Sequence, residues 1–158
     1  MSEENYNPMP DFDIEDDFVA DPLIARGFYK GSVTNVTLVP DKYYIMWEIT
    51  FDDNGGTMSD DETAIDGSKL MFFVYLPKPG DKDALTKSGK SNKHQSKINM
   101  MRQFADGLSI THHMKNLNTI AEAIDNTEFI GLSVTASVVI DDYNGRISNK
   151  IDKLILQS

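Results

Sequence analysis

The chain contains no cysteine, which excludes a disulfide framework, a thiolate nucleophile and any cysteine-ligated zinc or iron–sulfur site. No apolar run approaches the length needed to span a bilayer. The N-terminal MSEENYNPMPDFDIEDDF has neither the basic region nor the apolar stretch of a secretory signal. An intracellular protein, outside the membrane, is expected. Basic residues are missing from the first 25 positions, where eight acids and three prolines occur. Like-charge repulsion and scarce apolar residues predict a disordered tail over residues 1–25, followed by one domain over 26–158. At 158 residues and 40% hydrophobic content the chain is long enough for one core. Within the tail, Asp11, Phe12, Asp13, Ile14, Asp16, Asp17 and Phe18 alternate acid with apolar side chain. That pattern suits a short motif docking on a partner, or a merely solubilising tail.

From Phe28 the pattern becomes strand-like. In YYIMWEITF, Tyr43, Ile45, Trp47, Ile49 and Phe51 fall on one face and Tyr44, Met46, Glu48 and Thr50 on the other. The single tryptophan is expected in the core. Residues 52–68 read as an acidic loop. A third strand follows in KLMFFVYL, with Leu70, Phe72, Val74 and Leu76 inward and Met71, Phe73 and Tyr75 outward; Pro77 and Pro79 stop it. Two short helices are predicted from Ile98, Met101, Ala105 and Leu108 and from Leu117, Ile120, Ala121 and Ile124, with Thr119 and Glu122 placed as a capping box. Two alternating runs flank Asn144-Gly145, a hairpin signal. Three strands, a helical insertion between the third and fourth, and two more strands is the order of a mainly β, five-stranded OB-type Greek-key barrel.

The pieces GFYKGSVTNV, YYIMWEITF, DGSKLMFFVYL and FIGLSVTASVVIDDYNGRISNKI, spread over residues 23–156, resemble a family of bacteriophage OB-fold proteins long catalogued as a domain of unknown function and similar to single-stranded-DNA-binding proteins. Gly131 and the DYNGR hairpin with Asn149 after it carry the resemblance most strongly. It implies a replication or recombination accessory that coats single strands in the cytoplasm of an infected host cell. The long acidic tail and the lysine-rich insertion depart from the family pattern.

The charge distribution bears on that expectation. The chain carries −10 overall, yet residues 78–102 hold seven cations against two acids, a net +5. Single-strand binding needs cations along the phosphates and aromatic faces under the bases. The candidates are Tyr44, Phe73 and Tyr75 on the outer face, Lys78, Lys82, Lys87, Lys90, Lys93 and Lys97 in a mobile clamp, and Tyr143, Arg146 and Lys150 in the last hairpin. The aromatics stack bases on this reading, or else pack beneath helices or tail. A protein-interaction or virion-associated barrel is the alternative. A third reading rests on ALTKSGKS at 84–91, which meets a relaxed phosphate-loop pattern. A true phosphate loop joins a buried parallel strand directly to a helix, whereas here prolines and several residues intervene. No catalytic residue, cofactor or metal site is expected: the acid clusters at 52–54 and 60–62 lack calcium-loop spacing, and His112 and His113, being adjacent, are expected to diverge.

Overall fold

The computed structural model describes residues 9–157, so Glu3 and Glu4 of the expected tail lie outside the described residues. The elements run β1 (Gly27–Val39), β2 (Tyr44–Phe51), β3 (Lys69–Tyr75), α1 (Lys93–Gly107), α2 (Leu117–Asp125), β4 (Ser133–Tyr143) and β5 (Arg146–Leu156), with 3₁₀ turns at Pro40–Lys42, Asp81–Asp83 and Thr111–His113. The fold is mainly β. Its five strands form one antiparallel sheet in the order β3-β2-β1-β4-β5. The sheet curls until its edge strands β3 and β5 face each other across a shallow cleft without pairing.

Alternation explains the strands. Ile45, Trp47, Ile49 and Phe51 are fully buried while Tyr44, Met46, Glu48 and Thr50 are half-exposed. Tyr43 is the departure. It adopts φ 57° as the cap of the Pro40–Lys42 turn, which takes it out of the strand and leaves it exposed instead of inward. The core is completed by Val134, Ala136 and Val138 of β4, Ile151 and Leu154 of β5, Phe104 and Ala105 of α1, Ile120 and Ala123 of α2, and Phe129. Trp47 lies between the rings of Phe104 and Phe129, each 4.9 Å away. The capping box of α2 differs from the expected one: Asn116 is the cap and Thr119 its partner, because Thr119 occupies the third helical position and returns its hydroxyl to Asn116.

The chain joins the domain at Leu23, ahead of the boundary drawn at residue 26. Ile24 is buried, and its amide and carbonyl pair with the Asn149 side chain at 2.7 and 2.8 Å. Leu23 exchanges two bonds with Ser59. Asn149 follows the turn at Asn144-Gly145, whose φ values of 55° and 81° suit a tight hairpin. One side chain therefore ties the start of the domain to its last strand.

β1 is shared by both halves of the sheet. Residues 27–32 pair with β4 and residues 31–39 with β2, so Gly31 and Ser32 are paired on both sides at once. At Gly31 an added Cβ would lie 2.6 Å from the Thr50 carbonyl oxygen. Backbone on that side cannot yield as a flexible side chain would. Gly31→Ala is expected to destabilise the domain by about 1–3 kcal/mol, the usual range for overpacking, read as a lowered urea midpoint with unchanged slope. Undiminished stability would show that β1 is free to shift away from Thr50.

Candidate nucleic-acid interface

The outer face of β2 and β3 is where the aromatic residues meet. Register places Tyr44 opposite Tyr75 and Met46 opposite Phe73. Tyr44 then packs edge-on against Phe73 at 5.1 Å and against Tyr75 at 6.3 Å. Phe73 and Tyr75 remain 39% and 56% exposed, so neither helix nor tail covers them. The three aromatics expected from strand alternation thus form one patch. Its far end is less favourable to an anion, since Glu48 lies there, accepting from Thr34 at 2.7 Å and 3.6 Å from Lys69.

Two clefts flank the patch along the unpaired edge of β3. On one side α1 approaches Phe72, Phe73 and Tyr75 and encloses about 260 Å³, with Met100, Met101 and Phe104 as walls and Thr86, Lys93, Ser96 and Lys97 around them. In the second cleft Ser148 and Lys150 of β5, with Asp141 of β4, face Met71 and Phe73. Lys93 and Lys150, both exposed, line the two clefts that share Phe73 and Tyr75 with the aromatic patch. Tyr143 and Arg146 pair across the hairpin tip, exposed, and line neither cleft.

The lysine segment is ordered by a buried carboxylate rather than hanging free as a clamp. Asp81, only 2% exposed, accepts from the Lys78 amide at 2.9 Å and from Lys97 Nζ at 2.7 Å. Lys97 is consequently a structural partner whose charge is engaged. Lys78, Lys82, Lys87, Lys90 and Lys93 are exposed and form no ion pair among the described residues. Between them, ALTKSGKS closes as a hairpin turn bridged at Leu85 and Asn92. The amides of Thr86, Gly89 and Lys93 donate to the carbonyls of Ser91, Thr86 and Ala84 at 2.9, 2.9 and 2.7 Å. They face carbonyls of their own turn, not an open cradle, and β3 has already ended at Tyr75. Lys87 and Lys90 are exposed on this turn, of which Thr86 lines the α1 cleft.

Other groups have local tasks. Asp66 accepts from the amides of Gly55 and Asn54, and Asp60 from the Thr63 hydroxyl and then from the amides of Thr63 and Glu62, so both carboxyls are held below the usual range by loop hydrogen bonds. Among the described residues no group of three or more acids and histidines is placed to hold a metal ion. His112 and His113 do not diverge. In a 3₁₀ turn, neither helix nor strand, their ring centroids come within 4.0 Å, and His113 reaches Glu128 at 3.9 Å. The tail residues Asp11, Phe12, Asp13, Ile14, Asp16, Asp17 and Phe18 are all exposed.

Sequence reasoning passed over Asp81 and the methionine-lined cleft. Asp81 lies sixteen residues from Lys97 and appears as one more acid in a basic run, so only the tertiary contact reveals it. Met100 and Met101 carry a weak signal, as adjacent methionines beside a helix's apolar face.

The Asp81 carboxyl is held below the ordinary aspartate value of 3.8, first by the Lys97 hydrogen bond and then by the Lys78 amide, against the effect of burial. A lowered folded value means that its contribution is complete above the unfolded value and is lost as pH falls through the folded one. On acidification below pH 3.8 the melting temperature of the parent is expected to fall more steeply than that of Asp81→Asn. Parallel pH profiles would contradict this role. No protein-family model matches the chain, and no curated protein matches it significantly, so the interface stands on its own geometry.

Proposed function

We propose that the chain is a non-enzymatic, sequence-independent single-stranded-DNA-binding protein of OB type, acting in phage DNA replication or recombination. The observation that carries this reading is the exposed Tyr44, Phe73 and Tyr75 patch, bordered by two clefts that Lys93 and Lys150 line. Bases offer flat faces to the rings while phosphates run toward the lysines, the two requirements of binding without sequence preference. The strand order, the long shared β1 and helices between the third and fourth strands support a partly open five-stranded Greek-key barrel, whose strand 2 and 3 face is the usual oligonucleotide surface. The overall charge of −10 does not oppose it. At physiological salt fields fade over about 8 Å, so the lysine flank acts largely apart from the tail.

Titration with oligo-dT tests the reading. Phe73→Ala and Tyr75→Ala are each expected to weaken binding by about 1–3 kcal/mol, the range for one stacked base, with the fold intact by circular dichroism. Replacing Lys87, Lys90 and Lys93 together with alanine is expected to flatten the dependence of log K on log salt by roughly 0.7 per lost phosphate contact. Absence of saturable binding at low salt would sink the proposal. Binding that ignores the three lysines would remove only their share of it.

A further inference from the structure

A second apolar surface lies away from the aromatic patch. α1, the start of α2 and the Pro40–Lys42 turn enclose a groove of about 650 Å³ whose floor is Leu76, Met101, Met114 and Ile120. At its rim Ile98 and Leu117 are 40% and 57% exposed, although both belong to helices that have buried faces elsewhere. Arg102 and Lys115 line the groove, and Lys42 and Lys78 are chain neighbours of its lining residues Tyr43 and Pro77. Arg102 is bridged to Asp106 at 3.2 Å and Asp41 neighbours Lys42. The remaining charge is positive.

The tail has the complementary composition. Residues 11–19, DFDIEDDFV, contain five acids and no base, and Phe12, Ile14, Phe18 and Val19 are all largely exposed. The tail also has local form. The Asp13 carboxylate accepts from the amides of Glu15 and Asp16 at 2.9 and 3.1 Å, and the Asp17 amide donates to the Asp13 carbonyl at 2.8 Å. One capped turn results over residues 13–17, carrying Ile14, with Phe18 directly after it. Exposed apolar side chains on an anionic segment match an apolar groove with a cationic rim.

We propose that residues 11–19 of one copy dock in this groove of a second copy, so that the chain associates tail to groove. The reach of the tail favours the second copy over the same one. Leu23 is fastened to Ser59, in the loop beyond Phe51, whereas the groove opens at Tyr43 and Leu76, the opposite ends of β2 and β3. The eight residues of β2 span about 25 Å at roughly 3.3 Å each. Five extended residues carry Phe18 only about 17 Å from Leu23, well short of that span, and the turn beyond brings Ile14 to about 23 Å at most. The contact is heterologous, so it closes into a reciprocal dimer or propagates.

Sedimentation velocity of the full chain over a range of concentrations tests this independently of DNA binding. The expected result is concentration-dependent association at low salt, weakened by added salt. The double variant Ile14→Asp, Phe18→Asp is expected to sediment as a monomer, as is Leu117→Glu. Mixing these two variants is expected to restore a heterodimer, because one retains the groove and the other the tail. An unchanged circular dichroism spectrum of Leu117→Glu shows that it is folded, so that its loss of association reports the groove. A wild-type chain that stays monomeric throughout would overturn the proposal, including by docking on itself. Association that survives the double tail substitution would overturn it equally.

Discussion

The buried carboxylate of Asp81 is the contact on which the position of the lysines depends. β3 ends at Tyr75, and the chain must pass Pro77 and Pro79 before α1 begins at Lys93. Asp81 gathers both ends of that passage, holding the Lys78 amide and the Lys97 ammonium at once. At the other end of α1, Phe104 stacks on Phe72 at 5.5 Å and meets Trp47 edge-on. The helix is thereby pinned against the free edge of β3 at two points, one ionic and one aromatic. Loss of Lys97 leaves the buried Asp81 charge without its partner, which costs more than the pair contributes when intact.

This arrangement resolves how an acidic protein presents a basic surface. The excess of acid is concentrated in the tail and at Asp60, Asp61 and Glu62, whereas Lys93 lines the cleft beside the aromatic patch and Lys87 and Lys90 stand on the adjoining turn, which hydrogen bonds hold closed. An edge strand with exposed backbone is ordinarily a liability for aggregation. Here the edge of β3 is sheltered by α1 on one side and by β5 on the other, and the two sheltering clefts are the same ones that border the patch. Protection of the edge and construction of the candidate interface are one structural solution.

What could be read from the sequence followed from period. Strand alternation separates buried Ile45, Trp47 and Ile49 from the outer Tyr44, and buried Val74 from outer Phe73 and Tyr75, because sheet geometry permits only two faces. Asn144-Gly145 was legible because a two-residue turn demands positive φ at both positions. Tyr43 was not, since continuing the alternation backward ignores the turn that reverses its φ. The capping box was displaced because a helix start is chosen by which side chain reaches the first free amides, and Asn116 competes successfully with Thr119. Lys97 was grouped with the free lysines because charge counting has no access to a partner sixteen residues away. The histidine pair was misplaced for a similar reason, as helix and strand geometry do not cover a 3₁₀ turn.

The central claim is that the Tyr44, Phe73 and Tyr75 patch receives bases. Ultraviolet cross-linking of the full-length protein to oligo-dT, followed by mass spectrometry of the adducted peptides, addresses it most directly, since zero-length photoadducts form only where a base contacts a side chain. The account predicts adducts on the peptides carrying Phe73 and Tyr75, suppressed by excess unlabelled single strand and not by duplex. Adducts confined to other surfaces, or none at all under conditions of saturable binding, would contradict it.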